Sequence, residues 1–473
     1  MRVSVGMSST VEGVLREHLL RPDGQEDICL ATYSVSTGVE RISRLITTAE
    51  LPADGERAVH GNATITGAYV LRVASLAAQR GEGVAILHSH PGGRGWQGMS
   101  GPDADAEASY AILVQRMTGL PLVGLTLAGD ATWSARVWPD TQHPEWAESV
   151  RVVGTKLKVS WNDRLRPAPQ PTAEQTRTVS VWGDRLQADV ARLRVLVVGA
   201  GSVGLDVAQR LAASGVVHVG VMDFDIVKPL NRDRMIGATR RDAELELSKV
   251  EVAARLIRSA ATAAHPVVAT HDMSACSPTG LATALDYDVI FSCVDRPWPR
   301  AVLNGVAYAD LIPVIDGGIN IDTFDDGTMR GASWRTQTAT PGRPCFDCSR
   351  QIQMSKVTLD MQGLLEDEHY LRQAGLEAPR SQNVAALSAS VSASQLAHFV
   401  SLVASPAGKG VPQPLRYILA LHVLEHLPYT SCEGCHFERR PGEGDSRIPF
   451  TRNTGPWIDA LGGRGPRERT LRE

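Results

Sequence analysis

The stretch VLVVGAGSVGLDVAQRL, residues 195–211, joins a short apolar run to an amphipathic one through Gly199, Gly201 and Gly204. Val195–Val198 reads as a buried strand and SVGLDVAQRLAASG as a helix, which puts the glycines in a strand-to-helix turn. Glycines at Gly-x-Gly-x-x-Gly spacing permit the tight turn and let phosphates approach the helix N-terminus. HVGVMDFD comes next as a second strand. It ends in Asp223 and Asp225, about twenty residues on, where a carboxylate can hold ribose hydroxyls. Farther along come a helix in SKVEVAARLIRSA, strands in VVAT and YDVIFSCVD, a helix in RAVLNGVAYAD and a strand in IPVIDGG. Continuous apolar strands separated by helices predict a parallel α/β sheet covered on both faces. The glycine turn alone fits a nicotinamide or flavin enzyme as well as another nucleotide-binding one.

The residues beyond the turn decide between them. Asn231 and Arg234 in NRDRM, Lys249 at a helix start, and Asp295 with Arg300 in SCVDRPWPR supply cations and a carboxylate around one nucleotide. A hydride-transfer enzyme has no need of such a set. Adenylation of a carboxylate does, because departing pyrophosphate must be stabilised and magnesium held. Over about residues 175–440 the constellation resembles the ThiF/MoeB/ubiquitin-activating superfamily, with a Rossmann-like adenylation domain. The resemblance implies ATP and Mg2+ as cofactors. It gives the ribose to Asp223, the phosphates to Asn231, Arg234 and Lys249, and the magnesium to Asp295. Arg177 matches the arginine that family dimers insert into the partner's ATP site, which implies a homodimer. Two departures stand out. Arg296 succeeds Asp295 where the family usually has asparagine, and no cysteine lies between Cys348 and Cys432 to form a thioester. The expected chemistry therefore stops at acyl-adenylate.

Seven cysteines is an odd number, which argues against a complete disulfide framework. Four form two Cys-x-x-Cys pairs, Cys345/Cys348 and Cys432/Cys435, a set that suits a tetrahedral structural zinc. Cys29, Cys276 and Cys293 are singles.

The first part of the chain carries a second motif, HSHPGGRGWQGMSGPD, residues 88–103. His88 and His90 close the apolar strand VAILHSH, and two-residue spacing on a strand points both side chains to one side. Asp103 can supply a third ligand to a catalytic zinc, leaving a position open, and Ser100 can hydrogen-bond a developing oxyanion. Glu26, in GQEDICLATYS, is the best candidate for the general base of the attacking water, with Asp27 and Glu82 as nearby alternatives. These residues resemble the JAB/JAMM (MPN-type) metallopeptidases over about the first 140 residues, with a spacer between His90 and Ser100 longer than the family's usual one. That resemblance implies cleavage after the C-terminal glycine of a ubiquitin-like protein.

The 473 residues suffice for two or three domains at ~150 residues each. The expected division is a metallopeptidase domain over 1–140, a linker over 141–176 that includes the proline-rich RLRPAPQPTAEQTRT, an adenylation domain over 177–440 and a tail over 441–473. In the first domain, VEGVLREHLL is expected to present Val11, Val14, Leu15 and Leu19 on one face. A net charge of -4 gives no footprint for nucleic acid, and no apolar run is seen that approaches the ~18 residues of a membrane span. The expected location is the cytoplasm. The motifs together predict an enzyme that cleaves after, and adenylates, the C-terminal glycine of a ubiquitin-like protein, with a conjugating-enzyme-like protein as a further partner. The alternatives are activation of a sulfur-carrier protein and a non-catalytic scaffold for a ubiquitin-like protein.

Overall fold

The computed structural model describes residues 1–451 apart from 61, 141–142, 376–381 and 440. Two large sheets organise it. The first has nine strands, in the order Leu157–Trp161, Ser149–Val153, Arg2–Ser8, Arg41–Glu50, Ile28–Thr37, Gly83–His90, Leu122–Ala128, Trp133–Trp138 and Glu145–Trp146. Alternation along these strands sends residues to two cores. Leu15 and Leu19 of helix Ser9–Leu19 pack with Ala31, Tyr33 and Leu87 on one face. Tyr69, Val70 and Val73 of helix Gly67–Arg80 and Val114 of helix Gly101–Thr118 pack with Ile28, Leu30 and Ile86 on the other.

Two expectations change here. Residues 145–161, expected within the linker, are strands of this first sheet, and Ser149–Val153 pairs in parallel with Arg2–Ser8. In the first helix Val14 is exposed, so the buried stripe is Leu15 and Leu19 with Val11 packed beside them.

The second sheet runs Val267–His271, His218–Met222, Arg194–Val198, Val289–Ser292, Val314–Thr323, Met329–Ala339, Leu415–Ile418 and Val423–His426. The first five strands are parallel and the rest antiparallel. Helices cover both faces. Ser202–Ala213 and Lys249–Ala260 lie on the side of Val195, Val197 and Phe291, while Pro278–Ala284 and Pro297–Ala309 lie on the side of Leu196, Val198 and Ile290.

Helix Ala385–Ala404 has a mean hydropathy of 1.3 and is long and apolar enough to span a membrane by length and composition, contrary to the expectation of no such run. Its Leu387, Val391, Phe399 and Leu402 are buried, and Gln395 donates to the carbonyls of Ser292 and Ile315. It is a core helix of the second sheet.

The two units meet through charge. Asp288 and Arg194 stand at the N-terminal ends of their strands, at the edge opposite the glycine turn. Arg194 pairs with Glu148 at 2.6 Å, Arg41 with Asp288, and the backbone N–H groups of Glu40 and Arg41 donate to Asp286 at 2.9 Å. Burial alone would raise the Asp288 carboxyl. Arg41, Arg151 and Arg194 outweigh it and hold that carboxyl well below its ordinary value. From the expected tail, Asp445 accepts from Thr37 Oγ1 at 2.6 Å and Arg447 pairs with Asp310 at 2.7 Å. The tail's first residues thus close the joint. Residues 452–473 lie outside the described residues.

Candidate functional site

The glycine turn is built for close approach. Gly199 has a φ of 94°, and a Cβ there would come within 2.6 Å of the Cys293 carbonyl. At Gly204 a Cβ would lie 1.8 Å from the Gly199 carbonyl, so only glycine lets the helix pack on the turn. Gly201 meets nothing within 4 Å and leaves open space at the start of helix Ser202–Ala213. That is where helix N–H groups attract phosphate.

Asp223 closes the turn from the next strand: its carboxylate accepts from Ala200 N at 2.6 Å and Asp225 N at 2.8 Å. Lys249 Nζ reaches Asp225 at 2.7 Å, and Lys249 N donates to the Asp225 carbonyl at 2.8 Å, with Ile226 bridged to Ser248. Burial disfavours the Lys249 ammonium, but Asp223 and Asp225 beside it prevail and raise its pKa. Asp295, on the loop after Val289–Ser292, is exposed, makes no hydrogen bond or ion pair among the described residues, and lies within electrostatic reach of Lys249. The set suits magnesium at Asp295, since a hard cation takes oxygen ligands.

The other predicted nucleotide-binding residues are placed differently. Asn231 Oδ1 accepts from Lys228 N at 2.9 Å, and Arg234 turns to the Leu230 carbonyl at 2.9 Å and to Asp233 at 2.8 Å. Neither bonds to the Lys249–Asp225 pair. Arg300, expected to face the triphosphate, instead donates to Asp316 at 3.0 Å and to the Val294 carbonyl at 2.6 Å, so it props the Asp295 loop from below. Arg177 is exposed in the first turn of helix Thr176–Arg192.

The cysteines converge. Cys345 and Cys435 Sγ lie 3.5 Å apart and Cys348 and Cys432 Sγ 3.2 Å apart. Thiolates around a tetrahedral zinc lie ~3.8 Å apart, close to this spacing. The group whose donor atoms all lie within 4.8 Å of one another is Cys345, Cys348, Cys435 and the Glu438 carboxylate, so Glu438 stands where Cys432 was expected; Glu438 also accepts from Cys345 N at 2.7 Å.

In the first unit, His88 and His90 Nε2 are 3.2 Å apart, and Asp103 Oδ2 is 3.7 and 3.8 Å from them. Donors at ~2.0–2.1 Å from a tetrahedral zinc stand ~3.4 Å apart, so the triad fits such an ion. Burial, with Arg136 nearby, pushes His88 down to about 3, which leaves a neutral imidazole at neutral pH. Asp103, mainly through His90, stays well below the ordinary carboxylate range. Glu26 is not bonded to the triad, but burial raises its pKa, and His90 and Asp103 act on it electrostatically.

Ser100 has a second identity. It is the N-cap of helix Gly101–Thr118: Asp103 N donates to Ser100 Oγ at 3.2 Å, and Ser100 N and Oγ donate to Asp103 Oδ2 at 3.1 and 2.7 Å. The Ser-x-x-Asp spacing is thus also that of a capping box. Its hydroxyl is turned to Asp103 rather than toward an oxyanion position.

Several supporting residues carry no motif in the sequence. Asp27 N donates to Ser89 Oγ at 3.0 Å and Ser89 N to the Asp27 carbonyl at 3.0 Å, which pins Glu26's neighbour between the two histidines. Arg136, paired with buried Glu107, donates to Thr126 Oγ1 at 2.7 Å, itself 3.4 Å from His88 Nε2. Gln97 reaches His90 Nδ1 at 3.4 Å, while Trp96 packs on the core, so the glycine-rich spacer is anchored. These residues are scattered along the chain, and only an arginine inside the apolar strand ATWSARVW gives any signal.

Residues 172–431, more than half of the chain, match the ThiF family. The molybdopterin-synthase adenylyltransferase of Escherichia coli (strain K12) is 29% identical over 168 residues, 34% of this chain and 59% of that protein. The adenylyltransferase and sulfurtransferase UBA4 of Ogataea parapolymorpha is 32% identical over 164 residues, 34% of this chain and 39% of that protein. The chain thus spans less than two thirds of either relative. Among solved structures, E. coli MccB with ATP aligns with a TM-score of 0.44 and 14% identity over 56% of this chain and 74% of that one.

Proposed function

We propose, for a chain that belongs to the ThiF family, that it adenylates the C-terminal glycine carboxylate of a sulfur-carrier or other ubiquitin-like protein with ATP. The observation that carries this reading is the convergence of Asp223, Asp225, Lys249 and Asp295 around a phosphate-ready glycine turn. The carrier's carboxylate oxygen attacks the α-phosphorus, the bond to the β-phosphate oxygen breaks, and pyrophosphate leaves. Lys249, exchanging Asp225 for phosphate, stabilises that charge, and Asp223 holds the ribose. Asp295 would hold magnesium, which would supply positive charge against the departing pyrophosphate. With no cysteine between Cys348 and Cys432, the acyl-adenylate is the last intermediate on this chain. Of the relatives, one is named for adenylyl transfer and one for adenylyl and sulfur transfer, which favours a sulfur-carrier substrate over conjugation.

We assign zinc to the four cysteines as a structural clamp between the segments 345–348 and 432–435, and a homodimer in which exposed Arg177 serves the partner's site. Carrier-dependent ATP–pyrophosphate exchange tests the adenylation reading; a chain inert with every carrier ending in glycine would defeat it.

The convergence of His88, His90 and Asp103 within 4.8 Å favours a second activity at the other end. We read it as metal-dependent hydrolysis after the same terminal glycine, as in the JAB/JAMM metallopeptidases. A zinc held there would supply a Lewis acid for the scissile carbonyl. Glu26 would move the proton from the attacking water to the leaving amine. Replacing Glu26 with alanine should abolish cleavage and leave the metal bound; retained cleavage would remove that role.

A further inference from the structure

Arg296 stands where the family has asparagine, and its surroundings give it a task. Its guanidinium donates to Asp360 Oδ1 at 2.7 Å and pairs with Glu366. Asp360 is fully buried, and its other oxygen accepts from Trp298 N at 3.0 Å. Arg296 is the N-cap of helix Pro297–Ala309 and makes no side-chain cap bond there. Asp360 therefore supplies, from another helix, the acceptor that an N-cap side chain ordinarily provides.

Asp360 belongs to helix Met354–Met361, in the crossover segment between the two cysteine pairs. Ile352 and Val357 are buried in the same core as Trp298, with Val294, Met354 and Met361 packed against it. A buried carboxylate stripped of its cation is strongly unfavourable, so Arg296 stabilises Asp360, and with it the cap on Trp298 N, in this position. Arg296 is the residue next to Asp295.

We propose that Arg296 is a positioning residue that locks helix Met354–Met361 onto the Asp295 loop, coupling the docking of the crossover segment to the binding of ATP with magnesium. The crossover segment is then a fixed wall beside the nucleotide and does not carry a nucleophile. The proposal rests on the adenylation reading of Asp295. Coupling of this kind is reciprocal: nucleotide protects the helix, and loss of the helix contact weakens nucleotide.

The test uses the full chain, ATP with magnesium as the probe, calorimetric binding and amide hydrogen exchange. In the wild type, ATP with magnesium should slow exchange across residues 354–361. Arg296→Asn should weaken ATP binding by about 5–150-fold, the usual range of such couplings, and abolish that protection. Arg296→Lys should restore part of both, which a change in general stability would not do. Asp360→Asn combined with Arg296→Asn should bind no more weakly than Arg296→Asn alone. Unchanged exchange in strand Arg194–Val198 of the second sheet verifies that the unit carrying Arg296 folds in the variants. Arg296→Asn binding as the wild type does, or wild-type exchange at 354–361 indifferent to ATP, would overturn this proposal alone. Failure of the wild type to bind ATP with magnesium would overturn the adenylation reading with it.

Discussion

The nucleotide turn and the histidine triad each gather polar and charged groups beyond the C-terminal end of a strand, and they differ in how those groups are satisfied. At the turn, Asp223 is held by two backbone N–H groups and Lys249 by Asp225, so these charges already have partners. At the triad, two imidazoles and a carboxylate stand 3.2–3.8 Å apart, with the carboxylate oxygen also accepting from Ser100. The first arrangement suits a substrate that comes and goes. The second suits a resident ion. Between them, the joint of Arg41, Arg194, Glu148 and Asp288 sits at the N-terminal ends of strands Arg194–Val198 and Val289–Ser292, the ends opposite the glycine turn.

The joint should show the largest effect. Asp288→Asn leaves Arg41 with a buried, weakened partner and should cost about 3–5 kcal/mol at neutral pH by chemical denaturation. Because the folded carboxyl lies below its unfolded value near ~3.9, the stabilisation is present above that pH and is lost as pH falls through the folded value. The gap between variant and wild type should therefore narrow in acid; a gap independent of pH would mean that the charge pairing is not what joins the units.

At the nucleotide end, Asp295→Ala should lower carrier-dependent pyrophosphate exchange on the order of 10²-fold or more, as removal of one charge-stabilising group does elsewhere. Equal exchange by variant and wild type would show that the loop carboxylate holds no magnesium. At the other end, His88→Ala should remove one equivalent of bound metal by elemental analysis and leave the cysteine-bound equivalent untouched. Loss of both would mean that the ends are not separate metal sites.

The smallest expected effect separates the two identities of Ser100. Ser100→Ala should cost ~1 kcal/mol as a lost N-cap, read by thermal unfolding. If hydrolysis at the triad also falls by two orders of magnitude while Ser100→Asp, which restores the cap, stays inactive, Ser100 serves the oxyanion as well.

Legibility in the sequence tracks the range of the forces involved. The glycine turn, its flanking strand and helix, and the His-x-His strand end are set by local backbone geometry and period, and they stand where the sequence puts them. The features without a local signal are long-range. Strand Ser149–Val153 reads as linker because its partner Arg2–Ser8 lies more than a hundred residues away. Arg300 reads as a phosphate ligand until Asp316 is seen beneath it, and the Asp360 cap of a distant helix has no sequence signature at all. Ser100-x-x-Asp103 is legible twice over, as a motif and as a capping box, and spacing alone does not separate the two.

The most direct test of the adenylation account is pyrophosphate exchange by the full chain with a sulfur-carrier protein ending in glycine, run beside Lys249→Ala. The account predicts exchange that requires the terminal glycine and falls on the order of 10²-fold or more in the variant. Exchange that ignores the carrier's terminus, or that survives in Lys249→Ala, would contradict it.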